Sequence, residues 1–88
     1  MRQKTIFKGH VQGVGFRYTA ASIATHFLVT GYVRNLPDGA VELVAEGERA
    51  EVEGLIADIK ERIGLNIRSV LEVSEPETGS FPDFKIKH

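Results

Sequence analysis

The chain contains no cysteine. Disulfides, thiolate metal sites and a cysteine nucleophile are therefore excluded. It also lacks an apolar run long enough to span a bilayer, and its first residues carry no signal-peptide pattern. Nor is there an excess of basic charge: 11 Lys and Arg stand against 12 Asp and Glu, a formal net charge of −1. A general nucleic-acid binder would show a basic excess. If the ligand is an anion, attraction must come from a local site, which favours a small molecule over a polymer. His10, His26 and His88 have no metal-ligand spacing. The expectation is a cytoplasmic protein with no membrane, nucleic-acid or metal partner, although missing cysteines alone fit any compartment.

What is present reads as one domain over residues 1–88, with 42% hydrophobic and 26% charged residues, ordinary for a globular fold. "TIFKGHV" alternates as a strand, with Thr5, Phe7, Gly9 and Val11 on one side. Helical spacing follows, with Phe16, Ala20, Ile23 or Ala24, and Phe27 returning to one face. "GYVRNL" is a second strand, "LPDG" a turn and "AVELVAEG" a third strand that closes a hairpin. Val52, Leu55, Ile56, Ile59 and Ile63 form the buried stripe of a second helix, with Asp58 placed to support Arg62 and Gly64 placed to end the helix in a left-handed cap. "NIRSVLEVS" is a fourth strand, "SEPETGS" an exposed loop and "FKIKH" a short last strand with Phe84 and Ile86 on one face. The order predicts an α+β, ferredoxin-like sandwich: two helices on one face of a mainly antiparallel sheet of four to five strands. That fold hosts many functions and cannot name one.

Chemistry could live in "GHVQGVGFR". The glycines sit at a strand-to-helix junction, where the leading N–H groups of a helix lack intrahelical partners. Gly13 and Gly15 permit close backbone approach, the N–H groups suit a phosphate, and Arg17 can add a forked, permanent charge. A tight turn with strain-relieving glycines and a solvated Arg17 explains the spacing equally well. The segment is no nucleotide P-loop, because the Gly-Lys-Ser/Thr ending is missing. Asn35 ends the second strand beside the turn. Its amide can accept from a water and donate to a phosphoryl oxygen, but the residues alone favour bonding of the turn backbone. Arg34 points to the other side of the strand and reads as a surface charge. Glu42, Glu46, Glu48, Glu51 and Glu53 read as a solvated acidic face. Phe7, Phe16, Phe27 and Phe84 read as core.

"GHVQGVGFR" followed by "GYVRNLPDGAVELVAEGE" resembles the acylphosphatase family, with both signature segments present and in order. The intervening helix, the acidic second helix and the closing "FKIK" extend the resemblance over essentially the whole chain. It implies a ferredoxin-like sandwich and a cofactor-free enzyme that hydrolyses the carboxyl–phosphate bond of small acyl phosphates without a metal. By the same resemblance Arg17 binds phosphate and Asn35 positions the attacking water. The expected phosphate-binding loop comprises Gln12, Gly13, Val14, Gly15, Phe16 and Arg17. Acyl phosphate and inorganic phosphate are the expected partners, and a monomer is expected. Tyr32 stands where many members have tryptophan, a change expected to affect packing, and Leu36 where some have threonine. Two other functions compete: a sensor of acyl or carbamoyl phosphate that has lost turnover, and an RNA-binding sheet face. The second needs exposed aromatics on central strands, and Tyr32 is the lone aromatic of strand two.

Overall fold

Alternation along the first strand sorts its side chains between two unlike environments. In the computed structural model, which describes residues 1–88, β1 (Arg2–Gly9) buries Thr5 and Phe7 completely. Arg2, Lys4, Ile6 and Lys8 face the opposite way. β1 is a central strand, flanked by β3 (Val41–Gly47) and β4 (Ile67–Glu75). β2 (Val29–Asn35) pairs antiparallel with β3 and parallel with β5 (Phe84–Lys87), giving the sheet order β4-β1-β3-β2-β5. The helices α1 (Phe16–Ala24) and α2 (Arg49–Ile63) supply the second layer. Their apolar stripes meet Phe7, Val33, Val41, Leu43 and Ala45 in one core, with Phe84 and Ile86 packed at its margin. The expected ferredoxin-like sandwich is observed. No helix is long and apolar enough to cross a membrane.

Some local expectations change. The first helix stops at Ala24, and tightened bonds from Thr25, His26 and Phe27 to carbonyls three residues back lead the chain away. Phe27 still packs on the core margin, close over Gly54 of α2. Gly64 does not adopt the left-handed cap: its φ is −53°, and a 3₁₀ turn (Gly64–Asn66) carries α2 directly into β4. Asp58 and Arg62 form no ion pair. Both are exposed, where such a pair would add little.

The largest correction concerns the third strand. Glu42 and Glu46 are not solvated; their relative exposures are 6% and 8%. They lie on the sheet face away from the helices, where residues 76–83 fold back over the strands. Glu42 Oε1 accepts from the Tyr32 hydroxyl at 2.7 Å and from Arg34 Nε at 2.8 Å. Arg34 is therefore an ion-paired residue and not a free surface charge, and Tyr32 does more than pack. Burial raises the Tyr32 phenol most, aided by its bond to Glu42, pushing it up to about 12. Burial alone would raise the Glu42 carboxyl too, but the bonds from Tyr32 and Arg34 and the Arg34 charge hold it below the usual range. Glu46 Oε1 accepts the backbone N–H groups of Thr78 and Gly79 at 2.9 and 2.6 Å. Phe81 closes the same face, set edge-on to Tyr32 and under the Arg2 guanidinium. A pattern of alternating charge cannot reveal a cover that arrives from more than thirty residues downstream.

Candidate active site

The glycine-rich loop is pinned at both ends and free in the middle. Val11 and Phe16 are buried, and the Phe16 ring meets Phe7 at a centroid separation of 5.0 Å. Between them Gly13, Val14 and Gly15 are exposed. Gly13 and Gly15 both have φ of 77°, in the left-handed region that side chains disfavour. Gly15 is the N-cap of α1 and brings no capping side chain, and the first turn holds no acidic residue. The helical ladder starts where Thr19 N–H donates to Gly15 O at 3.0 Å. Phe16, Arg17 and Tyr18 therefore lead the helix with N–H groups ahead of its first bond. The N–H groups of Gln12, Gly13, Val14 and Gly15 likewise donate to no protein acceptor. The result is a concentrated partial positive charge that the fold leaves uncompensated.

Arg17 and Asn35 converge on this loop from different elements. A depression of about 200 Å³ is lined by Val11, Gly13, Gly15, Phe16, Arg17, Tyr18 and Asn35. Arg17 takes part in no ion pair. Its Nη1 donates instead to the Lys87 carbonyl at 3.3 Å, with His88 Nδ1 at 3.3 Å. The end of β5 thus braces the guanidinium while leaving its charge free. Asn35, at the end of β2, is exposed, and its amide bonds to no protein group. The adjacent turn is held by other means. Leu36 N–H donates to Ala40 O at 2.8 Å, Gly39 N–H to Leu36 O at 3.2 Å, and Ala40 N–H to Asp38 Oδ1 at 3.0 Å. The turn-holding role is therefore filled by Asp38 and the backbone.

The side chain of Gln12 does not line the depression. Its Nε2 donates to the Leu36 and Ala40 carbonyls, both at 2.8 Å. His10 lies outside the depression, beside Lys8, Arg68 and Ser69. A larger cleft of about 680 Å³ sits at the far end of the strands, against Met1, Leu28, Glu46, Glu48 and Glu77. Its carboxylates would repel a phosphate, so size alone misidentifies the site.

A glycine-lined cradle of unbonded N–H groups, an unpaired arginine and an idle amide can hold a tetrahedral anion and orient a small polar molecule against it. Comparison with known proteins carries the same direction. The acylphosphatase family model matches residues 3–86. The chain belongs to the acylphosphatase family. It is 43% identical over 83 residues to an acylphosphatase of Acaryochloris marina, covering 94% of this chain and 89% of that one. It is 46% identical over 81 residues to an acylphosphatase of Caldanaerobacter subterraneus subsp. tengcongensis, covering 89% and 88%. The crystal structure of acylphosphatase from Bacillus subtilis superposes with a TM-score of 0.88 at 26% identity, covering 99% of this chain and 98% of that one. As a member of the acylphosphatase family the chain is an enzyme, and the ferredoxin-like sandwich is shared across these structures.

Of the residues singled out from the sequence, Gly13, Gly15, Phe16, Arg17 and Asn35 line the same depression. Val14 is on the same loop and exposed. Gln12 contributes its backbone to the loop and its side chain to the β2–β3 turn. Sequence reasoning missed two features: the hold of Lys87 and His88 on Arg17, and the reach of Gln12 to the turn. The alternation of "FKIK" signals a strand, but nothing in it shows that this strand runs parallel to β2 and ends at Arg17.

Proposed function

We propose that residues 1–88 form a single, monomeric acylphosphatase domain that hydrolyses the carboxyl–phosphate bond of small acyl phosphates. The loop N–H groups from Gln12 to Arg17 and the Arg17 guanidinium hold the phosphoryl oxygens, and Asn35 orients the water. The water oxygen attacks phosphorus as the bond from phosphorus to the acyl oxygen breaks, and that electron pair leaves on the carboxylate. One water proton stays on the new phosphate, and the other passes to a phosphate oxygen or to solvent. A carboxylate departs readily without acid help, so the enzyme's task is positioning and stabilisation of charge on the equatorial oxygens. The observation that carries this reading is the convergence of unbonded loop N–H groups, an arginine outside any ion pair and an unbonded Asn35 amide on one small depression.

The test is hydrolysis of a small acyl phosphate by the purified protein, with inorganic phosphate as a competitive inhibitor. No carboxylate lines the depression, and no three His, Asp or Glu side chains are grouped to hold a metal ion. Turnover is therefore expected to survive EDTA. Loss on chelation with recovery on adding a divalent ion would overturn the mechanism.

A further inference from the structure

The depression is built from two pieces of chain that are distant in sequence, and one side chain joins them. Gln12 opens the cradle loop, and Asn35 closes β2. The amide nitrogen of Gln12 donates to Leu36 O and Ala40 O, both at 2.8 Å. Leu36 follows Asn35 directly, and Ala40 precedes Val41, which pairs with Asn35 across the β2–β3 ladder. The same two carbonyls also close the turn itself, through Gly39 N–H on Leu36 and Leu36 N–H on Ala40. Gln12 therefore grips both arms of the turn one residue beyond the Asn35–Val41 pair, directly next to the residue that carries the free amide. The Asn35 amide makes no protein bond, so only its backbone locates it relative to the cradle.

We propose that Gln12 is a positioning residue: its amide fixes the separation between the phosphate cradle and Asn35. The inference rests on the functional reading above. In-line attack needs water and phosphorus held at near-attack distance, and a displacement of about 1 Å can cost on the order of 10²-fold in rate. Phosphate binding makes no such demand, because the cradle N–H groups and Arg17 lie on the Gln12 side of the joint. Losing the brace should thus damage turnover and spare the anion.

The test is a double-mutant cycle on the full chain, reading kcat with a small acyl phosphate and Kd for inorganic phosphate. Gln12→Met keeps the length of the side chain and removes both hydrogen bonds. It should lower kcat by about tenfold or more while phosphate Kd moves by less than about threefold. In an Asn35→Ala background the same substitution should cost less than about twofold, because the group being positioned is gone. An equal loss of kcat in both backgrounds would reduce Gln12 to a general structural role and overturn the inference. Wild-type kcat in Gln12→Met, with Asn35→Ala impaired, would overturn the inference and leave the functional reading intact. A wild-type protein without acyl-phosphate turnover, or an undamaged Asn35→Ala, would overturn both. Exchange of the side-chain amide protons in the wild-type protein gives an arm that needs no variant. Those of Gln12 should exchange more slowly than those of the exposed Asn35, and equal rates would overturn the brace.

Discussion

Two stretches of this chain aim backbone N–H groups at a point where negative charge belongs, and only one of them holds such a charge. At residues 78–79 the anion is internal. The Glu46 carboxylate takes the N–H groups of Thr78 and Gly79, and Gly79 turns through a positive φ of 63°. At residues 12–18 the glycines also turn through positive φ, but no side chain of the protein comes to meet the donors. A fold normally pairs its backbone donors with its own acceptors or with water. The pairing at Glu46 ties the covering segment to the sheet and holds the Glu46 carboxyl below its usual range, chiefly through the Gly79 N–H. The unpaired set lies beside an arginine outside any ion pair and is available to a ligand. One nest is filled from within and the other is left open to a ligand, and the difference between them is whether the chain supplies the anion.

This contrast can be broken most forcefully at Asn35. Asn35→Ala should lower kcat by about 10²–10³, as when a preorganised transition-state donor is lost. Phosphate Kd should change little, and stability should stay within about 0.5 kcal/mol, since the Asn35 amide holds nothing in the folded protein. Near-normal kcat with a lowered Tm would return Asn35 to the turn. Next comes Arg17→Ala, expected to weaken phosphate binding by about 1.5–3 kcal/mol, the range for a charge-assisted hydrogen bond. Arg17→Lys should rescue only part of this, because a point charge cannot reproduce the fork. Equal affinities in a phosphate titration of the three proteins would remove Arg17 as the anchor.

Gly15 sharpens the comparison at the level of the backbone. A Cβ there meets nothing within 4 Å, so the objection to a side chain is the φ of 77° and not a lack of room. Gly15→Val should therefore remain folded, cost about 1–2 kcal/mol of stability, and lose activity as the loop relaxes away from the anion. Full activity would show that the left-handed turn is dispensable.

The smallest effect on turnover belongs to the filled nest. Glu46→Gln should lower Tm at neutral pH and leave kcat within about twofold, since the site is at the other end of the strands. The Glu46 pKa is depressed in the folded protein. Its stabilisation is thus fully present above the unfolded carboxylate value of about 4.3 and lost as pH falls through the lower folded value. The Tm gap between wild type and Glu46→Gln should narrow across that acid range. A constant gap would mean that the charge of Glu46 contributes nothing to the latch.

Much of the molecule was legible in the residues. The α2 stripe from Val52 to Ile63 is buried as its spacing requires, because a helix can hide only the face that its period brings together. The glycine pattern marked the cradle, since few other residues accept a positive φ. Two errors share a cause. Glu42 and Glu46 alternate with apolar residues as a solvated face would, but Glu42 is bonded by Tyr32 and Arg34 of the neighbouring strand and Glu46 by Thr78 and Gly79 of the segment that folds over the sheet. Gly64 suited a left-handed cap, but the path into β4 overrode that preference with a 3₁₀ turn.

By itself, then, the sequence determined the element order, the helix-facing core and the local geometry of the loop, all set by periodicity and by the allowed φ of glycine. Tertiary structure alone decided which charges are compensated. Arg34 and Glu42 found each other across a strand pair, Arg17 found only a carbonyl and an imidazole, and Gln12 reached the turn beside Asn35. Hydrogen bonds and ion pairs act over a few ångströms. Arg34 and Glu42 are only eight residues apart across one hairpin, but Gln12 and Arg17 meet partners tens of residues away, which become neighbours only when the sheet order brings their strands together.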